Sequence, residues 1–273
     1  MDHPREHDVA ISGGLVVSYA EQGDSSDSAL VLLPGPTDSW RSYEQVLARL
    51  PSSVRAVAVS QRGHGDSDKP AHGYRVEDFA ADVVPFLDAL GIERAVLVGH
   101  SGSCPVARRV AIDSSERIDG LVLEASPTTL RGDAGLEAFV ESVVSGLQDP
   151  IDPDLARSFV VDTSADEMEP YVLDRLVAEL LKVPAHVWKE TFAGLLRYDD
   201  TAELGRITMP TLLVWGNSDP LVGRDMQDLL ARRIPDATLL VYPDVGHTPR
   251  WQDPQCFAAD VAEFASRVRT TSR

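Results

Sequence analysis

Ser101 lies within the segment Gly99 to Ser103, which follows an apolar run at 94–98 and precedes a segment with helical periodicity. A sharp turn from a strand into a helix leaves room only for small residues two positions before and after the residue at its tip, and Gly99 and Ser103 meet that need. The start of such a helix directs backbone N–H groups and a positive dipole end toward an anion formed above it. We therefore predict that Ser101 is a nucleophile.

A serine hydroxyl needs a base to take its proton, and two later loops carry suitable partners. His247 follows the apolar run Ala237 to Tyr242, and Asp219 follows the run Thr211 to Trp215. Histidine, which titrates near pH ~6.5, can accept the proton and return it to a leaving group. A carboxylate on the other ring nitrogen fixes the tautomer. The sequence thus predicts His247 as the base and Asp219 as the orienting acid.

The order Ser101, Asp219, His247 is the nucleophile, acid, base order of one fold. Two further segments, 32–40 (LLPGPTDSW) and 60–67 (SQRGHGDS), look like the loops that follow the third and fourth strands of that fold. On these landmarks the chain resembles the α/β-hydrolase family over nearly its whole length. The resemblance implies a mostly parallel, eight-stranded sheet flanked by helices, with an inserted helical cap.

The resemblance also indicates where the oxyanion formed during acyl transfer would bind. In the family, one donor is the backbone N–H after the nucleophile, here Gly102, and the second comes from the residue after a His-Gly pair. That pair is Pro34-Gly35 here, so the second position is Pro36, which has no N–H. Thr37 is an alternative donor through its N–H or its hydroxyl.

Some members of the family place the acid after an earlier strand, which makes Glu124 an alternative to Asp219. His100, directly before the nucleophile, is more often a packing residue in the family. His64 belongs to the turn at 60–67, and we interpret it as structural.

Short runs rich in valine and leucine alternate with segments of helical periodicity, which predicts an α/β fold with a mostly parallel sheet. We expect the first hairpin, from His7 to Ala20, to be antiparallel, and Gly91 to end a helix. The alternation stops between Pro127 and about Thr208, where amphipathic stretches follow one another. We therefore divide the chain into a core, 1–126 and 209–273, and a cap insertion, 127–208, over the strand ends where ligands bind in such sheets. The cap stretches are 135–147, 153–161, 170–181 and 184–196.

The chain has 273 residues, of which 43 are acidic and 25 are lysine or arginine, for a net charge of −18. Such a surface repels nucleic acid and anionic membranes. The charged start, Met1 to Asp8, is followed by no run long enough for a signal peptide or membrane span, so we expect a cytoplasmic protein. The two cysteines, Cys104 and Cys256, do not suggest a disulfide scaffold. Without a phosphate loop or zinc-ligand spacing, we expect no metal or other cofactor.

These features predict a serine hydrolase that cleaves a carboxylic ester or lactone through an acyl-enzyme. A serine in place of an aspartate disfavours the family's epoxide hydrolases and haloalkane dehalogenases. Alternatives are a carbon–carbon bond hydrolase or perhydrolase of the same fold, and a ligand-binding or signalling homologue with little turnover, which the Pro36 position motivates. We expect a small, uncharged, apolar substrate. Candidate pocket walls are the aromatic residues Trp40, Phe139, Phe159, Trp188, Phe192 and Trp251.

Overall fold

An eight-stranded sheet forms the centre of the part of the chain that the computed structural model describes, residues 4–23, 28–163 and 168–271. Its strands are β1 (Arg5–Ala10), β2 (Val16–Gln22), β3 (Ser28–Leu33), β4 (Ala56–Val59), β5 (Arg94–His100), β6 (Ile118–Glu124), β7 (Thr211–Gly216) and β8 (Ala237–Tyr242). Across the sheet they lie in the order β1-β2-β4-β3-β5-β6-β7-β8.

The strands from β4 to β8 in this order are parallel, whereas β2 runs antiparallel to both β1 and β4. The predicted fold class, with its antiparallel first hairpin, is confirmed. Strand β6 is longer than its apolar run, 121–123, suggests. Asp119 extends it because its side chain is buried in an ion pair with Arg94. A paired charge can thus occupy a strand position that a hydrophobicity pattern excludes.

Helices cover both faces of the sheet. They are α1 (Glu44–Leu47), α2 (Val76–Ala89), α3 (Cys104–Asp113), α4 (Ala134–Ser142), α5 (Pro153–Asp162), α6 (Pro170–Leu180), α7 (Ala185–Leu195), α8 (Arg224–Arg233), α9 (Pro249–Gln252) and α10 (Pro254–Thr271). Gly91, with a φ of 62°, follows α2 and ends it as predicted. Among the helices described, none is both long and apolar enough to cross a membrane.

Alternate residues of the buried strands point to opposite faces, as the two-residue period of a strand requires. Leu97 of β5 packs in one apolar cluster with Phe79 of α2 and Val110 of α3. Its neighbour Val96 packs in a second cluster with Phe257 of α10. Both faces of the central strands are therefore buried, which explains why these strands read as continuous apolar runs.

In the described part of the chain, the segment between β6 and β7 contains the helices α4 to α7 and no strand. Side chains that precede the first turns accept hydrogen bonds from backbone N–H groups: Asp133 from Leu136 at 2.8 Å and Asp152 from Asp154 at 2.9 Å. Prolines open α5 and α6. The interpretation of 127–208 as a cap stays a prediction; residues 164–167 of that range and Met1 to His3 lie outside the described residues.

Candidate active site

The turn between β5 and α3 places Ser101 at its tip, with a φ of 51° that is costly for a residue other than glycine. A Cβ atom on Gly99 would lie 2.8 Å from the backbone oxygen of Ser103, so glycine is required there. Ser103 fits because its hydroxyl donates to the carbonyl of Pro34 at 2.5 Å and accepts a hydrogen bond from Gln61 at 2.8 Å. Ser103 thus fastens the turn to the loop after β3.

The loops after β5, β7 and β8 bring three side chains into one hydrogen-bonded row. Oγ of Ser101 lies 2.8 Å from Nε2 of His247, and Nδ1 of His247 lies 2.8 Å from Oδ2 of Asp219. The imidazole and the carboxylate are almost entirely buried. Because the carboxylate accepts the Nδ1 proton, the Nε2 lone pair faces the serine hydroxyl. This arrangement can move a proton from Ser101 to His247.

Local backbone contacts hold Asp219 in place. Its second carboxylate oxygen, Oδ1, accepts hydrogen bonds from the backbone N–H groups of Leu221 at 2.8 Å and Val222 at 3.0 Å. One oxygen is therefore used by the loop and the other by the imidazole of His247. This division fixes the direction in which the carboxylate points.

A cavity of about 690 Å³ lies above Ser101 and is lined by the loops around it together with α4, α5 and α7. This volume is typical of small-molecule sites, which range from about 300 to 1,000 Å³. The charged side chains on its wall are carboxylates, Asp38, Asp133 and Asp162, and within the described chain no lysine or arginine lines it. The aromatic lining residues are Phe139, Phe159, Phe192 and Trp251.

The predicted walls Trp40 and Trp188 do not line this cavity. Trp40 is buried in the apolar cluster that contains α1 and α10, with the guanidinium of Arg41 over its ring at 4.4 Å. Trp188 is stacked on Phe192, with ring centroids 5.7 Å apart, and meets Phe159 edge-on at 5.0 Å. Trp188 therefore supports the wall from behind. A large aromatic ring is buried whether it lines a cavity or packs behind its wall. The position of a tryptophan in the sequence therefore does not distinguish these two roles.

The turn from Gly35 to Asp38 places Pro36 against Gly102. A Cβ atom on Gly102 would lie 2.7 Å from Cγ of Pro36. Pro36 therefore stands beside the backbone of Gly102 and contributes no N–H group. Thr37 has a φ of 74° at the third position of this turn, which the bond from Asp38 N to Gly35 O closes at 3.1 Å. Thr37 is buried, its hydroxyl has no partner among the described residues, and it does not line the cavity.

Glu124, the alternative acid, lies at the end of β6 and has other partners. Its Oε1 accepts a hydrogen bond from the backbone N–H of Arg250 at 2.9 Å and lies 3.4 Å from Nη1 of the same residue. The hydroxyl of Tyr43 donates to Oε2 at 3.2 Å. Nδ1 of His247 is occupied by Asp219 instead. The structure therefore does not bring Glu124 to the imidazole.

Arg250 is a site residue that the sequence analysis missed, and an arginine close to a predicted base carries no distinguishing pattern. It is fully buried, its Nη2 lies 2.7 Å from Oδ2 of Asp38, and its guanidinium lies 4.4 Å from the ring centre of Trp251. Burial raises the pKa of Asp38 to about 6, although the charge of Arg250 opposes this shift. One buried cation thus joins the His247 loop, the turn after β3 and, through Glu124, the end of β6.

His100 supports the same loop from below. It is 4% exposed, and its Nε2–H donates to the backbone oxygen of His247 at 3.1 Å. Nδ1 is then unprotonated, and it has no partner among the described residues. Burial, aided by the charge of Arg250, lowers the pKa of His100 well below its usual value. Gly35 is required beside it, because a Cβ atom there would lie 2.6 Å from Nδ1.

No group of three or more histidine, cysteine, aspartate or glutamate residues in 4–23, 28–163 and 168–271 is arranged to hold a metal ion. The buried thiol of Cys104, directly behind the nucleophile turn, donates to the backbone oxygen of Gly99. Burial raises the pKa of this thiol to about 12, so it stays protonated at neutral pH. We assign none of the described residues to a cofactor.

Comparison with known proteins identifies the family. The family model described as alpha/beta hydrolase fold matches residues 28–254. A 2-hydroxy-6-oxononadienedioate/2-hydroxy-6-oxononatrienedioate hydrolase of Burkholderia vietnamiensis is 30% identical over 271 residues, which cover 93% of this chain and 92% of the relative. A non-heme chloroperoxidase of Streptomyces lividans is 28% identical over 272 residues, with 94% and 98% covered. The solved structure of an N-acyl homoserine lactone degrading enzyme superposes with a TM-score of 0.79 at 28% identity, covering 94% of this chain and 100% of that one.

The chain therefore belongs to the α/β-hydrolase fold family, a family of hydrolases. The three similar proteins carry three different names, so membership does not by itself select a reaction.

Proposed function

We propose that this protein is a serine hydrolase that cleaves carboxylic esters or lactones through an acyl-enzyme. The observation that carries the proposal is the row Ser101, His247, Asp219, in which both hydrogen bonds measure 2.8 Å. In this proposal Ser101 is the nucleophile, His247 the general base and acid, and Asp219 the residue that orients the imidazole.

In the acylation step, Oγ of Ser101 forms a bond to the carbonyl carbon while Nε2 of His247 takes its proton. The carbonyl electrons move onto oxygen, and the backbone N–H of Gly102 stabilises the resulting oxyanion. When the tetrahedral species collapses, the bond to the leaving oxygen breaks and that oxygen receives the proton from Nε2. Asp219 stabilises the imidazolium that exists between the two transfers.

In the deacylation step, water loses a proton to Nε2 and its oxygen attacks the acyl carbon. Collapse of the second tetrahedral species breaks the bond to Oγ of Ser101, which regains the proton, and the carboxylic acid leaves. For a lactone the alcohol and the acid are parts of one product. The protein groups named here account for each proton.

The lining of the cavity supports a small, uncharged, apolar substrate. Phe139, Phe159, Phe192 and Trp251 offer apolar surface, and the similarity to an N-acyl homoserine lactone degrading enzyme is consistent with a cyclic ester. We propose that the helices of 127–208 act as a cap over this pocket, since α4, α5 and α7 supply much of its wall.

Burst kinetics with p-nitrophenyl acetate and butyrate test the proposal. Wild type should release a burst of p-nitrophenol followed by a steady rate, because these activated esters acylate the serine faster than the acyl-enzyme is hydrolysed. Ser101→Ala should lower turnover at least about 1,000-fold. Ser145→Ala is the matched control, since the exposed Ser145 donates to the backbone oxygen of Glu141 and does not line the cavity, and it should retain turnover. Serine-independent release of p-nitrophenol would overturn the proposal.

A ligand-binding protein with slow turnover is the second candidate, and the contact of Pro36 with Gly102 favours it. The loss of one oxyanion donor typically costs on the order of 100 to 1,000-fold in rate. Tight binding of an apolar ester that stays intact after long incubation would support this candidate. Efficient release of acid and alcohol would exclude it.

A further inference from the structure

The two stems of the 127–208 insertion meet at the helix that follows the nucleophile. We define the outgoing stem as residues 126–130 and the returning stem as residues 198–203. The hydroxyl of Thr129 donates to the backbone oxygen of Tyr198 at 3.1 Å and links the stems directly. Arg108 of α3 lies where both stems pass.

The guanidinium of Arg108 is fully buried, and each of its N–H groups has an acceptor. Toward the outgoing stem, Nη1 donates to Oγ of Ser126 at 2.9 Å and to the backbone oxygen of Pro127 at 2.8 Å, and Nη2 donates to the backbone oxygen of Thr128 at 2.9 Å. Toward the returning stem, Nε and Nη2 donate to the two carboxylate oxygens of Asp200 at 2.9 and 2.8 Å.

This contact has a direct geometric effect on the cavity. Leu130, the last residue of the outgoing stem, and Asp133 just after it line the cavity, and Phe192 and Leu195 line it shortly before the returning stem. A two-pronged arginine–carboxylate pair fixes direction as well as distance. The position of the stems relative to α3 therefore sets the position of these walls relative to Ser101.

We propose that Arg108 is a positioning residue that holds the 127–208 insertion at a fixed place above Ser101 and so determines which length of acyl chain the pocket accepts. This inference rests on the proposed ester hydrolysis. Arg108 touches no reacting group. Its effect reaches the substrate through the backbone of both stems.

The test compares acyl-chain selectivity in variants without the pair. Removing only the arginine would leave Asp200 buried and unpaired, so the main variant is Arg108→Met with Asp200→Leu, because replacing both members of a buried pair by apolar residues is often tolerated. Arg108→Lys, which keeps the charge but loses the fork, is the second variant. The matched control is Arg55→Met with Glu21→Leu, a pair with a bond of 2.7 Å that joins β2 to the residue before β4 and does not line the cavity.

Substrates are p-nitrophenyl acetate and p-nitrophenyl octanoate, which share a leaving group and differ only in acyl length. In both Arg108 variants we expect the ratio of kcat/KM for octanoate to that for acetate to fall about tenfold or more, mainly through KM for octanoate. Hydrogen exchange should accelerate in the stems and in α4 to α7 but not in the central strands. The control pair should leave the ratio unchanged.

An unchanged ratio in a folded Arg108 variant, or an equal fractional loss for both esters, would overturn the inference. Failure of wild type to hydrolyse either ester would instead refute the proposed function. Circular dichroism and the rate with the acetate ester distinguish a misfolded variant from one in which only the insertion has moved. If the double variant does not fold, the ratio measured for Arg108→Lys decides the test.

Discussion

Pro36 packs its ring so close to Gly102 that a Cβ atom on the glycine would lie 2.7 Å from Cγ of the proline. The residue at the position that supplies the second oxyanion donor in this family therefore contacts Gly102, the proposed first donor, without offering an N–H group. The hydrogen-bonded row from Ser101 to Asp219 is thus complete for proton transfer. The neighbouring turn, in contrast, lacks one N–H group that could stabilise negative charge.

Replacing Pro36 by alanine should raise kcat for p-nitrophenyl butyrate about tenfold or more, because it adds a donor beside Gly102. The turn should survive, since its closing bond from Asp38 N to Gly35 O at 3.1 Å does not involve Pro36. Steady-state kinetics of the variant measure the effect, and KM should change little. An unchanged kcat would show that the new N–H does not reach the oxyanion.

Asp219→Asn and Glu124→Gln distinguish the two candidate acids. Asp219→Asn should lower kcat on the order of 10,000-fold, since the amide no longer fixes the tautomer of His247. Glu124→Gln should lower kcat less than about tenfold but should destabilise the fold by about 1 to 3 kcal/mol, since Glu124 is a partner of the buried Arg250. Single-turnover rates and chemical denaturation measure these effects. A reversed order of the two kcat losses would transfer the acid role to Glu124.

The carboxylates on the cavity wall should discriminate against anionic substrates. Asp133 and Asp162 line it without a lysine or arginine among the described residues, whereas the charge of Asp38 is paired with Arg250. We expect kcat/KM for mono-p-nitrophenyl adipate to be about tenfold or more below that for p-nitrophenyl hexanoate, because a substrate carboxylate meets like charges. The difference should shrink in Asp133→Asn and at high salt. Equal values for the two esters would contradict this electrostatic effect.

His64 should make the fold sensitive to acid. Burial lowers its pKa from 6.5 to about 4, although the hydrogen bond that Nδ1–H donates to the backbone oxygen of Arg62 at 2.8 Å opposes this shift. The neutral ring stabilises the folded state above pH ~6.5, and this contribution is lost as the pH falls toward ~4, where the unfolded chain binds the proton more readily.

His64→Asn keeps a donor for Arg62 and removes this titration. The free energy of unfolding of the wild type relative to the variant should therefore fall by about 2 to 3 kcal/mol between pH 7 and pH 4. Urea denaturation at both pH values measures it. A difference that stays constant with pH would mean that His64 has the same pKa in the folded and unfolded states, which would contradict the prediction.

The fold could be predicted from the sequence because the residue patterns that indicate its strands, helices and turns are local. Valine-rich runs, prolines at helix starts and the small residues Gly99 and Ser103 each restrict the backbone around them. The same local signals indicated Ser101, Asp219 and His247, which the structure brings together.

The contacts that the sequence did not predict form only when segments distant in the chain pack together. Arg250 meets Asp38 and Glu124 only when three distant segments converge, and no local pattern records that meeting. Trp40 and Trp188 were expected on the cavity wall for a related reason. Which side of a buried ring faces a cavity is decided by neighbours that are remote in the chain.

The hydrogen bonds of Arg250 also determine when the site can form during translation. Its partners Asp38 and Glu124 are translated long before it, and until residue 250 has been made the carboxylate of Glu124 lacks its cation. A nascent chain can pair most of its strands earlier, since only β8 is close to this point in the sequence. The site around Ser101 should therefore stay incomplete on the ribosome until the last helices, α9 and α10, have emerged.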